Sequence, residues 1–206
     1  MRRRLRKLVG NERAATIIEF ALVCPVMLIL MMGLGELAFQ GYLQSVLTGA
    51  LQKAARDSSI EGNNTTDAGT AIDNKVKAMI GNILTKTIWD TSTRQNYSHF
   101  ADVGPEYYWD NNPKNGKYDS ATECFLDTNG NGVWDADPST SGQGSANAVV
   151  VYQMGFTYQR LFPVARMFGW PATAHIVSRT LMKNQPYKYQ NTADDTLVCP
   201  KGGKTS

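Results

Sequence analysis

Residues 13–36 read RAATIIEFALVCPVMLILMMGLGE, an apolar run with a carboxylate, Glu19, near its start. From Ala14 to Gly35 the run is 22 residues long, and Glu19 is its only charged residue. A helix needs about 20 apolar residues to cross a bilayer core, so the run predicts a membrane-spanning helix. An acidic side chain at mid-helix costs about 2.5–3.5 kcal/mol on insertion scales. Glu19 sits nearer one end, where the cost is lower, but a carboxylate in lipid still asks for a partner.

The flanks set the expected topology. Arg2, Arg3, Arg4, Arg6, Lys7 and Arg13 precede the span, opposed only by Glu12, for a formal +5. Such a cluster stays in the cytoplasm, which predicts a single pass with the N-terminus inside and the bulk exported. The whole chain is +3, so everything beyond Arg13 carries −2, and the pI near 8.7 reports the leader alone. No basic stripe with interleaved aromatics remains, and no nucleic-acid partner is expected. A cleaved secretory signal would have a shorter apolar region, of about 7–15 residues, and a small-residue cut site. This run is longer and continues into helical sequence.

From Glu36 to Arg56 apolar residues recur at Leu37, Tyr42, Leu43, Val46, Leu47, Ala50, Leu51, Ala54 and Ala55, a helical stripe. One helix over about 16–56, roughly 60 Å long, is predicted, with its first half in lipid. Gly41, Ser45 and Gly49 form a small-residue ridge at four-residue spacing. Such a ridge admits another helix closely, and packing on the chain's own sheet is the alternative. Pro25 removes one helical hydrogen bond and predicts a kink or a melted turn. The segment 58–66 carries turn chemistry, and a second amphipathic helix is expected over 67–86. A weak strand is expected over 97–103, then a long polar loop over 104–146, which something must tie down. Residues 148–159 and 172–183 are strong strand signals, joined through a short helix or loop at 161–170. The expected organisation is therefore a leader (1–14), an assembly helix (15–56) and an exported α+β domain (57–206), with the long helix packed on a small antiparallel sheet.

Site chemistry for an enzyme is absent. His99 and His175 fall on separate candidate strands without a metal-ligand pattern, and no GxSxG or phosphate-cradling glycine loop occurs. Cys24 lies in the span, whereas Cys124 and Cys199 lie in the exported part, where an oxidising compartment favours a disulfide between them. Asp127, Asn129, Asn131, Asp135 and Asp137 place oxygen side chains at alternate positions, with Gly132 sixth. That spacing opens an EF-hand-type calcium loop, although Pro138 stands where the bidentate twelfth ligand belongs. A calcium site and a tight Asn-Gly turn are the two readings of this stretch.

The residues quoted so far resemble a family. The basic leader, AATIIEFALVCP at 14–25, the helix ending AAR at 54–56 and the late strand ending RTLMKNQP at 179–186 are similar to TadE-like pseudopilins of the tight-adherence (Flp, type IVb) pilus system. The resemblance implies a type IV pilin-like fold, no enzymatic activity, and a place in the bacterial inner membrane with the bulk in the periplasm. It implies pilins, pseudopilins, the pilus assembly machinery and a prepilin peptidase as partners. The peptidase would cut between Ala14 and Ala15, so that Glu19 becomes the fifth residue, followed by Phe20; Ala14 stands where the family has glycine. The new amino group on Ala15 could then meet Glu19 of a neighbouring subunit, each charge compensating the other. The alternatives are a protonated Glu19 or one that snorkels to the headgroups. A membrane-anchored calcium-dependent adhesin is the competing function.

Overall fold

The computed structural model describes residues 12–58, 66–84, 86–111, 114–185 and 195–200. Residues 1–11 of the expected leader, most of the 58–66 turn and much of the polar tail lie outside the described residues.

Helix α1 spans Glu12–Ser58, 47 residues or about 70 Å. It runs unbroken through Pro25, so no turn melts there. The sequence divides it in two. Up to about Leu28 no other described residue covers it, and Ile17, Ile18, Phe20, Leu22 and Val26 are all exposed; from Ile29 to Gly35 only the segment around Phe162, Phe168 and Trp170 comes near. Beyond Glu36, Leu43, Leu47, Ala50, Leu51, Ala54 and Ala55 are buried at helical spacing. Leu37 and Tyr42, expected on that stripe, instead face outward at 66% and 52% exposure. The stripe is narrower because one sheet and one helix, rather than a full shell, cover this half.

Helix α2, Thr66–Gly81, lies against α1 and buries Ile72, Val76 and Ile80. It stops short of the expected Lys86, because the N–H groups of Ile83 and Leu84 both fold back on the Ile80 carbonyl. The chain then forms β1 (Thr87–Trp89) and β2 (Thr93–Tyr97). A strand over 97–103 is not what forms: Tyr97 is the last strand residue, and Phe100–Asp102 is a 3-10 turn closed by Asp102 on the His99 N–H. Two very short strands, β3 (Phe125–Asp127) and β4 (Thr140–Ser141), break the expected 104–146 loop. β5 (Val149–Gln159) and β6 (Thr173–Lys183) follow, separated by the one-turn helix α3 (Val164–Met167), and β7 (Thr196–Val198) closes the described chain.

Strand β5 is the centre of the main sheet. It pairs with β6 along 11 residues, from Val149↔Lys183 to Gln159↔Thr173. Its other edge is shared: β2 takes 149–153, β1 takes 156–158, and β4 extends β2 outward, all antiparallel. Alternation then sorts the side chains. Tyr152, Met154 and Phe156 of β5, with Ala174 and Ile176 of β6, face α1 and α2 and form one core with Leu43, Leu47, Val76 and Ile80. Each large side chain so buried contributes about 1.5–3 kcal/mol. The fold is α+β: a long N-terminal helix followed by a small antiparallel-sheet domain.

One polar knot lies within this core. Asp73 of α2 accepts hydrogen bonds from Arg94 Nη2 (2.5 Å), Tyr152 Oη (2.5 Å) and Ser92, and the Arg94 guanidinium sits 4.3 Å over the Tyr152 ring. It ties α2 to β2 and β5. The loop region is tied down separately. β3 pairs with β7, Cys124 is disulfide-bonded to Cys199, and Tyr118 stacks on Trp134 beside Tyr108 and Phe125.

Candidate functional site

Two places gather the chemistry: the N-terminal half of α1 and the loop after β3. Ala14 and Ala15 lie in the helical backbone of α1 near its first turn; their side chains are outside the described residues. Glu19 and Phe20 follow one turn later, both exposed on a helix surface that no other described residue covers. A contiguous apolar surface of this size on a single element marks a lipid or protein contact. Gly41, Ser45 and Gly49 also face outward, away from the sheet, and a Cβ added at either glycine would meet nothing within 4 Å. Packing on the chain's own sheet is therefore not their role.

At the far end of the apolar run the structure adds a residue that periodicity passed over. Glu36 is only 7% exposed. Its Oε2 accepts the N–H groups of Leu161 (3.0 Å) and Phe162 (3.3 Å), and its Oε1 lies 3.5 Å from Arg160 Nη1. Nearby, burial raises the pKa of the Tyr158 phenol; the Glu36 charge adds to the rise and the Arg160 charge opposes it. The one available sign of this site was a second acid closing the apolar run.

The structure brings Asp127, Asn129, Asn131 and Asp135 together in one loop. Asp127 accepts three backbone N–H groups, from Gly130 (2.7 Å), Asn131 (3.3 Å) and Gly132 (2.7 Å). Gly130 and Gly132 both have φ of +76°, a conformation that favours glycine. Asn129 Oδ1 accepts the Asn131 N–H, and Asn131 Oδ1 accepts the Val133 N–H. Asp135 Oδ2 accepts the amide groups of Asn129 (2.8 Å) and Asn131 (2.5 Å). Glu106, buried below, accepts the N–H groups of Thr128 and Asp135 and so clamps both sides of the loop. Asp137 does not join them. Its carboxylate turns to Tyr97 Oη (2.9 Å) and Gln95 Nε2 (3.1 Å). Burial would raise its pKa, but the bonds from Tyr97, Ser139 and Gln95 outweigh that and lower it. As a calcium site the set is therefore Asp127, Asn129, Asn131 and Asp135, and a cation would have to displace the amide groups now held by Asp135.

The two histidines lie apart, each beside a carboxylate. His175 is on the outer face of β6, its Nε2 2.7 Å from Asp90 Oδ2. His99 precedes the 3-10 turn, off any strand, and is brought by the fold to Asp102 and Asp195, with ligand atoms all within 4.8 Å of one another. Spacing in the chain could not reveal that group, since Asp195 arrives from the tail.

Helix α1 has one apolar half that stands largely clear of the other described residues and one sheet-packed half, and it is long and apolar enough to cross a membrane. Residues 14–56 match the family model for TadE-like protein, and they include Glu19, Phe20 and Glu36. The match covers the long helix alone, and over that segment the chain is similar to TadE-like proteins. The sheet domain lies outside the matched segment. No curated protein and no solved structure matches the chain.

Proposed function

We propose that the chain is a non-enzymatic pseudopilin that supports assembly of a type IVb (Flp/Tad) pilus for surface adherence. It sits in the inner membrane with its leader cytoplasmic and its 57–206 domain periplasmic. A prepilin peptidase cuts between Ala14 and Ala15, and α1 then packs against other pilins and the assembly machinery. The observation that carries this reading is Glu19, a lone acid on an apolar helix surface that the other described residues leave open. A neighbouring subunit's Ala15 amine is the cation that makes such an acid tolerable, and it sets the axial register between helices. The outward ridge of Gly41, Ser45 and Gly49 offers a close approach for that neighbour.

Glu19→Ala should abolish piliation and leave the sheet domain folded; normal pili in that variant would sink the mechanism. N-terminal sequencing of membrane-extracted protein should begin at Ala15, and an intact Met1 would remove the peptidase step.

A second reading, a membrane-anchored calcium-dependent adhesin, is favoured by the loop at 127–135. Its three backbone donors on Asp127 and its alternate asparagine turns follow the opening geometry of an EF-hand-type loop. Calorimetry of the full chain in detergent with millimolar calcium tests it. Absence of heat, with an unchanged melting temperature on chelation, would end this reading.

A further inference from the structure

We propose that the β5–β6 connection, residues 160–171, is a membrane-interface foot that seats on the outer lipid surface beside α1. The inference rests on the anchoring part of the proposed function and adds to it where the domain meets the bilayer.

The first argument is level. The 22-residue apolar run is about 33 Å long as a helix, against a hydrocarbon core of about 30 Å. Glu36 therefore marks the outer edge of the core, with Leu30 and Leu34 about 3–9 Å inside it. The connection packs at this height. The Phe162 ring lies over Gly35, where an added Cβ would come within 3.1 Å of it. Phe168 and Trp170 form one wall of an apolar groove whose other wall includes Leu30, Gly33 and Leu34. Aromatic rings at the headgroup level are a regular feature of membrane proteins.

The second argument is exposure. Met167, Phe168 and Trp170 are 65%, 62% and 65% exposed on this short segment, while Val164 and Ala165 are tucked inward. Arg166, also exposed, supplies a cation suited to lipid phosphate.

The third argument is the backbone. Irregular chain is tolerated near lipid only when its polar groups are satisfied internally. Here the N–H groups of Arg160, Arg166, Phe168, Gly169 and Trp170 donate to carbonyls of the same segment or its neighbour Ala172. Those of Leu161 and Phe162 donate to Glu36, and Pro163 and Pro171 have none to satisfy. The acid that ends the span thus takes up two backbone N–H groups of the segment beside it.

Continuity decides the occupant. One wall of the groove is the outer end of the proposed span, so what fills the groove shares that span's surroundings, which are lipid.

The full chain, reconstituted in vesicles, gives the test. Flotation and resistance to alkaline extraction report anchoring, and loss of both would overturn the anchoring reading together with the foot. In floating protein, lipids brominated near the headgroup should quench a blue-shifted part of the tryptophan emission that disappears in Trp170→Phe. Phe168→Asp should weaken that quenching and still float. Equal quenching in wild type and Trp170→Phe would overturn the foot alone. Trp170 emission that becomes quenchable only when protein is diluted into excess lipid would assign this face to a second subunit, and would also overturn it.

Discussion

Glu36 Oε2 accepts the N–H of Leu161 at 3.0 Å, a bond between residues 125 apart in the chain. It joins the point where the apolar run of α1 ends to the point where β5 leaves the sheet. With the core that β5 and β6 share with α1 from Leu43 to Ala55, this contact fixes how the sheet stands on the helix.

Glu36→Ala should therefore cost about 1–3 kcal/mol, because two N–H groups lose their acceptor, and Arg160 loses its counter-charge. Glu36→Gln retains an acceptor oxygen and should cost less. Thermal unfolding of the full chain in detergent measures both, and equal losses would argue against the backbone bonds as the cause.

The knot around Asp73 predicts a larger effect. Asp73 and Arg94 are both largely buried, so removing either leaves a buried charge unpaired, at about 3–5 kcal/mol. A double-mutant cycle with Asp73→Ala and Arg94→Ala should show strong coupling; additive losses would refute it.

That knot also sets an acid limit. Burial alone would raise the Asp73 pKa, but bonds from Arg94, Ser92 and Tyr152 and the Arg94 charge outweigh burial and lower it. A carboxyl with a depressed folded pKa stabilises above its unfolded value, about 3.9, and that contribution is lost as pH falls through the folded value. Unfolding midpoints measured between about pH 6 and 2 should fall more steeply in wild type than in Asp73→Asn.

Gly155→Ala should destabilise the sheet by about 1–3 kcal/mol through overpacking. An added Cβ would meet the Asp90 carboxylate and come within 2.9 Å of the Ile176 carbonyl oxygen. Asp90 also holds His175, so the substitution should disturb the His175 imidazole signals in NMR spectra.

Replacing Cys124 and Cys199 together by Ser should cost roughly 4–5 kcal/mol in the chain-entropy view, since the bond spans 75 residues. The loss should be local first. Trp109 and Trp134 belong to the loop region, so their near-ultraviolet signal should melt before the helical far-ultraviolet signal.

Much of this architecture is local information. Apolar length marks the first half of α1, helical spacing marks Leu43, Leu47 and Leu51, and β-branched alternation marks β5 and β6. Those patterns are legible because each records one element's own periodicity. β2, TRQNY, carries no such pattern; it becomes a strand because β5 offers an open edge from Val149 to Gln153. The same holds at the sites. Glu19 stands out by composition alone, and the turn spacing at 127–135 is visible in the chain. Asp137 belongs to that spacing yet bonds to Tyr97 and Gln95, which only the folded loop brings near.

By itself, then, the sequence determined the apolar run, its lone acid, the two long strands and the helix-on-sheet class. The tertiary structure alone decided that Glu36 holds Leu161, that Asp73 holds Arg94 and Tyr152, and that Gly41, Ser45 and Gly49 face outward. The physical reason is range: periodicity is written within one element, whereas a buried charge or a bare ridge acquires meaning only from what a distant element places against it.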